Sequence, residues 1–143
     1  MDMAKIHQAI PHRPPFLFVD AVQELSENRI KTTKNVLPEE SFFEGHYPGN
    51  PIMPGVLICE SILQSGAILI SKKTPCSHHS VPVVTRIQDV KFRKLVKPGD
   101  VLETEVEIIE TLNGVYFLKG KTTVAGKTAV SAKFTCTMIN NIV

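Results

Sequence analysis

The run from Pro54 to Lys73, PGVLICESILQSGAILISKK, constrains this chain most. Proline and glycine open it in positions suited to a helix's first turn, and two lysines close it where the helix dipole is negative. Between them apolar residues fall on nearly every side, so the helix, expected from Gly55 to about Lys72, has no broad face to give to water. The rest of the chain must enclose it. Only Glu60, Ser61, Gln64 and Ser65 break the apolar pattern, and Glu60 and Gln64 stand one turn apart on a shared stripe. Burying a carboxylate there costs free energy that ordinary packing does not return. The longest apolar stretch, Val56 to Ile70, is short of the roughly 20 residues of a membrane span and carries Glu60 and Gln64. It reads as a core helix, not as a membrane element.

The remainder of the chain supplies strands. A short helix from Met3 to Ala9 stops before Pro11. After the PHRPP turn, a strand runs through FLFVDAVQEL (16–25), turns at Ser26 to Asn28, and returns as RIKTTKNV (29–36). The segment SFFEGHYPGNPIMPG (41–55) holds three prolines and three glycines, which exclude regular structure and stiffen the backbone into one path. Beyond the core helix, four strands are expected: Val81 to Phe92, Val101 to Thr111, Val115 to Ala125 and Thr128 to Met138. Asn113-Gly114 and Gly126-Lys127 are tight hairpin signals, and PGD (98–100) marks a further turn, so the four should form an antiparallel meander. The expected architecture is α+β, a sheet wrapped around one helix, in a single domain over residues 1–143.

Composition removes several function classes. A net charge of +2 on 143 residues, with no Trp, argues against a dedicated nucleic-acid binder. Cys59, Cys76 and Cys136 are odd in number and widely spaced, which indicates neither a disulfide framework nor a thiol-redox motif. The amino terminus carries Asp2, His7 and Gln8 where a signal peptide needs apolar residues, so a cytoplasmic protein is expected. Cys76, His78 and His79 lack the further ligands that zinc requires, and no metal site is expected. Ser61 and Ser65 lack a nucleophile elbow, while Cys59 has its thiolate disfavoured by burial and by Glu60. Gly126-Lys127-Thr128 has neither the upstream glycine nor the following helix of a phosphate loop.

What remains is a histidine and a carboxylate. His46 sits in the stiffest loop of the chain and Glu60 in its most apolar segment, joined by HYPGNPIMPGVLICE (46–60). Either alone reads as ordinary; together they are a potential base and a potential acid. A second cluster, RIQDVKFRKLVK (86–97), sets Arg86, Lys91, Arg93, Lys94 and Lys97 against Asp89. It is either a solvated strand edge or a landing surface for an acidic partner.

The run GHYPGNPIMPGVLICESILQSG, with IPHRPPFLFVD before it and VKFRKLVKPGD after it, resembles the 3-hydroxyacyl-[acyl-carrier-protein] dehydratases of type II fatty acid synthesis, in their FabZ class. The likeness spans about residues 10 to 110 in the same order. It implies a hot-dog fold, in which a curved antiparallel sheet wraps the long central apolar helix. It also implies a homodimer, often assembled as a trimer of dimers, with each site built from His of one chain and Glu of the other. His46 and Glu60 match the family's catalytic pair, and Gly55 matches the glycine whose N–H faces the thioester carbonyl. Val56, Gln64 and Phe92 are carried over as substrate contacts, and Gly66 as a motif position near the site. Acyl carrier protein is the implied partner, with Lys91, Arg93, Lys94 and Lys97 as its docking surface, and no cofactor is implied.

The chemistry of that family fits the pair. Loss of water from a 3-hydroxyacyl thioester removes a weakly acidic C2 proton and expels hydroxide from C3, so a base and an acid must face adjacent carbons. Neutral imidazole can take the proton, and an apolar setting can keep a Glu protonated to deliver its own. Charge building on the carbonyl oxygen would meet the positive end of the helix at Gly55. The isomerising FabA class carries Asp where this chain has Glu60, although it shares Gly49-Asn50-Pro51, so dehydration without isomerisation is favoured. Ile62 and Leu63 are bulkier than the family's usual residues and would reshape an acyl tunnel. Thioesterases and acyl-binding proteins share the fold and form the second class of reading.

Overall fold

In a computed structural model, residues 1–77 and 79–140 are described; His78 of the dismissed Cys76–His79 cluster lies outside them. Helix α1 (Met3–Ala9) is capped by the Asp2 side chain, which accepts from the Lys5 N–H. Strands β1 (Ala21–Leu25) and β2 (Arg29–Asn35) form a hairpin. Helix α2 spans Gly55–Lys73. Strands β3 (Ser80–Phe92), β4 (Val101–Leu112), β5 (Val115–Val124) and β6 (Lys127–Asn140) complete one six-stranded antiparallel sheet in the order β1-β2-β4-β5-β6-β3.

That order corrects the expected meander. Strands β4, β5 and β6 follow one another as hairpins, but β3 pairs with β6 at the far edge, not with β4. The Lys97–Asp100 turn is the reason. It docks on the end of β2, with the Val36 N–H donating to Asp100 O and the Gly99 N–H donating to Val36 O. The chain therefore enters β4 already paired with β2, and β3 is left for β6. The β4–β5 turn is Asn113-Gly114 as expected, with φ of 53° and 77°. The β5–β6 turn is Ala125-Gly126 instead of Gly126-Lys127, with φ of 50° and 81°, the paired positive values of a tight hairpin.

Helix α2 lies on one face of this sheet. Ile58, Ile62, Ile68, Leu69 and Ile70 are buried against Ile30, Leu102, Val106, Leu118 and Phe134. Close approach depends on two glycines: a Cβ on Gly66 would stand 2.7 Å from Phe134, and one on Gly120 would stand 2.5 Å from Ile62. By length and composition α2 could cross a membrane, yet 61% of its apolar window is buried within the chain. The sheet replaces lipid as its apolar surroundings.

The strand expected over 16–25 begins only at Ala21. Residues 16–18 bond instead to side chains of α2, with the Phe18 N–H donating to Gln64 Oε1 (2.7 Å) and the Gln64 amide donating to Phe16 O (2.8 Å). Ser61 Oγ donates to Phe18 O (2.8 Å). A backbone satisfied by helix side chains has no need of a neighbouring strand. The proline-rich segment also differs from expectation at its start, where Ser41–Glu44 makes a single 3-10 turn before Gly45.

Candidate active site

His46 is held at both ends of its loop. Upstream, the 3-10 turn buries Phe43, and Phe42 stacks with Phe43 and edge-on to Phe18. Downstream, the Met53 N–H donates to Val96 O (2.8 Å) and the Met53 side chain is buried. Between these anchors Asn50 N–H closes onto Tyr47 O, and Tyr47 takes a positive φ of 53°. The Tyr47 ring meets the imidazole edge-on at 4.8 Å. The imidazole Nδ1 lies 2.7 Å from Ile52 O. A carbonyl can only accept, so Nδ1 carries a proton, and in the neutral imidazole the lone pair is therefore on Nε2.

Glu60 projects from the second turn of α2, half-buried. Burial pushes its carboxyl upward from the ordinary value, and a hydrogen bond from Gln64 Nε2 (2.9 Å) partly offsets this by favouring the charged form. Gln64 is fully buried, and its amide is spent on Phe16, Phe18 and Glu60. Its place is behind the carboxylate, which it orients. Cys59 is pushed up by burial and then by Glu60, in keeping with an inert thiol.

His12 was missed from sequence. Its Nε2 lies 3.7 Å from Glu60 Oε2. Burial, then the Arg13 charge, pushes His12 down while burial pushes Glu60 up, so both shifts weaken the charged form of this contact. No spacing rule links the PHRPP turn to the second turn of a distant helix, so only the fold brings them together.

Gly55 opens α2, where the first N–H groups have no partner within the helix. A Cβ there would stand 2.7 Å from the Phe92 ring, so glycine lets Phe92 of β3 lie against the helix start. Val56 and Phe92 are both exposed beside it, at 69% and 58%. His46 and Glu60 make no hydrogen bond or ion pair with each other within the chain. Among the described residues no ion pair engages Lys91, Arg93, Lys94 or Lys97, which continue from Phe92 along the end of β3 and into the loop after it. No cluster of three metal-ligating side chains occurs among the described residues.

A broad cavity lies elsewhere. It is a depression of about 660 Å³ on the sheet face away from α2, where Arg29, Glu105, Glu107, Lys119 and Lys121 form one group of its lining charges and Lys91 and Arg93, which have no ion pair among the described residues, stand apart from that group. The grouped charges alternate across the strands and pair with one another, which is the pattern of a solvated outer face.

Comparison with known proteins identifies the fold and the family. The family model for FabA-like domains matches residues 10–133. The 3-hydroxyacyl-[acyl-carrier-protein] dehydratase FabZ of Clostridium perfringens strain SM101 is 44% identical over 133 residues, covering 93% of this chain and 95% of the relative. The FabZ of Petrotoga mobilis is 43% identical over 133 residues, covering 93% and 94%. That of Caulobacter vibrioides is 38% identical over 141 residues, covering 97% and 89%. Among solved structures, the dehydratase heterocomplex ApeI:P of Xenorhabdus doucetiae superposes with a TM-score of 0.78 at 15% identity, covering 94% and 91%. A hypothetical thioesterase of Streptococcus pneumoniae solved with coenzyme A gives 0.64 at 18% identity, covering 86% and 88%. At such identities the structural matches show only the shared hot-dog fold, which both chemistries use. The sequence matches decide between them: this chain belongs to the FabA-like family, as a 3-hydroxyacyl-[acyl-carrier-protein] dehydratase of the FabZ class.

Proposed function

We propose that His46 and Glu60 carry the dehydration of 3-hydroxyacyl-[acyl-carrier-protein] in fatty acid biosynthesis. His46 Nε2 takes the C2 proton, Glu60 protonates the C3 hydroxyl as it leaves, and the product is the trans-2-enoyl thioester. The observation that carries this reading is the Nδ1 hydrogen bond to Ile52 O, which commits the imidazole to the tautomer with a free basic Nε2. Glu60 complements it, since burial favours its protonated form. The free N–H groups at Gly55 are suited to the thioester oxygen, and Val56 and Phe92 flank the path to it.

The catalytic pair is shared across a homodimer. This accounts for the missing contact between His46 and Glu60 within one chain. The outer edge of β3, which has no neighbouring strand among the described residues and exposes Val84 and Ile87 at 37% and 46%, offers a pairing edge to a second copy. A trimer of such dimers is the assembly carried over from the family resemblance. Lys91, Arg93, Lys94 and Lys97 form the landing surface for the acidic carrier protein beside the site, and the enzyme works as a single domain in the cytoplasm.

The test is turnover of 3-hydroxyacyl carrier-protein thioesters of several lengths, read as loss of one water by mass and as double-bond position. H46A and E60Q should each be inactive, and an equimolar mixture refolded together should regain part of the activity. Recovery requires one site to draw His46 and Glu60 from different chains. An active H46A protein would sink the mechanism, a mixture that stays dead would sink the shared site, and a cis-3 product or free carrier thiol would reassign the chemistry.

A further inference from the structure

Lys34 is the misplaced residue of β2. Inward-facing positions of this strand are Ile30, Thr32 and Lys34, and Lys34 is only 5% exposed, facing the same way as two core residues. Its ammonium lies 2.7 Å from Glu40 Oε2 and 5.9 Å from the centre of the Phe18 ring. Its remaining contact is a long one to Asn35 O at 3.4 Å. Glu40 immediately precedes the 3-10 turn Ser41–Glu44, yet its side chain does not cap that turn and reaches inward to Lys34 instead.

A buried ion pair is poor value as a source of stability, because desolvating both charges cancels most of their attraction and apolar residues of similar size often do as well. Its distinctive property is registry: each charge has one acceptable place, and that place is beside the other. Here the register concerns the loop that carries His46. Glu40 stands where the chain leaves β2 for that loop, and the same Phe18 ring that lies under Lys34 also receives Phe42. The Phe18 backbone is in turn fixed by Gln64 and Ser61 of α2. The pair therefore ties the loop's entrance to the element bearing Glu60.

We propose that the buried Lys34–Glu40 pair is a positioning device for His46, setting the loop so that Nδ1 meets Ile52 O. The proposal rests on His46 being the base. Its primary readout, the protonation pattern of the imidazole, does not depend on activity.

The test is the apolar double variant K34M/E40L, whose fold is checked by circular dichroism and melting, alongside K34R, which keeps the charge. In the wild type, ¹⁵N-labelled imidazole spectra assigned with H46A should show His46 as the Nδ1–H tautomer alone. In K34M/E40L that single tautomer should give way to a mixture. Turnover kcat should fall on the order of tenfold or more with KM little changed, as expected when a reacting group is displaced by a fraction of an ångström. K34R should retain both the tautomer and most of kcat. A folded K34M/E40L protein with wild-type kcat and an unchanged His46 tautomer would show that the pair serves packing alone. If the double variant does not fold, E40Q is read by the same two criteria, and an unchanged tautomer and kcat there overturn the proposal equally.

Discussion

The two faces of the sheet handle polarity in opposite ways. On the outer face, charges are many and loosely paired: Arg29 with Glu107 at 3.3 Å, Lys121 with Glu105 at 3.9 Å, Lys119 with Glu107 at 3.9 Å, Lys133 with Asp89 at 3.7 Å. On the inner face, polar groups are few and mostly buried: Thr32 bonds Ser65 at 2.8 Å and Thr104 bonds Thr122 at 2.7 Å, while the Lys34 ammonium lies 2.7 Å from the partly exposed Glu40 carboxylate. Exposed pairs trade water for a partner at little net gain, so any one of them is replaceable. Buried ones have no water to fall back on, so each fixes the position of what it holds. The inner network ends at Glu60, through Gln64.

Three measurements would break or sharpen that contrast, in falling order of effect. Replacing Gln64 with Leu should be the most damaging to stability, because Phe18 N–H and Phe16 O lose their partners in the core. The expected loss is roughly 3 kcal/mol by urea denaturation, with Glu60 left free to turn; a loss within the range of surface variants would contradict the inner network.

Next, E60Q should change the pH dependence of stability. Burial holds Glu60 above its ordinary 4.5. A carboxyl raised in the folded state contributes stability that is complete below the unfolded value and is lost as pH rises through the folded one. The glutamine variant escapes this loss, so its melting temperature relative to wild type should climb with pH above about 4.5 and level off once Glu60 is ionised. A constant difference across that window would mean that Glu60 titrates as in the unfolded chain.

The smallest effect belongs to the outer face. K119Q and K121Q should each alter unfolding free energy by no more than about 0.5 kcal/mol, with turnover unchanged. A large loss from either would give the outer charges a role that their geometry does not show.

Much of this could be read along the chain because it is local. Helix α1 runs from Met3 to Ala9 as its cap and following proline require, and α2 opens at Gly55 and closes at the lysine pair. Asn113-Gly114 turns β4 into β5 through positive φ values that those residues tolerate. His46 and Glu60 stood out because each violated its surroundings, a titratable group in a rigid loop and a carboxylate in an apolar helix. The 3-10 turn at Ser41–Glu44 contains no glycine or proline of its own, so the composition of the segment does not mark it.

The amino-acid sequence by itself determined an apolar helix that must be enclosed, strands able to enclose it, and a histidine and a glutamate set within one motif, because periodicity, turn chemistry and burial cost are properties of neighbouring residues. Tertiary structure alone decided what distant segments do to one another. It sent β3 to β6 by docking Gly99 and Asp100 on Val36, and it kept Phe16–Phe18 out of the sheet by giving their backbone to Gln64 and Ser61. It also set His12 beside Glu60 and buried Lys34 against Glu40. The physical reason is common to them: which buried polar and charged groups come within reach of one another is a fact of three-dimensional packing that no spacing along the chain encodes.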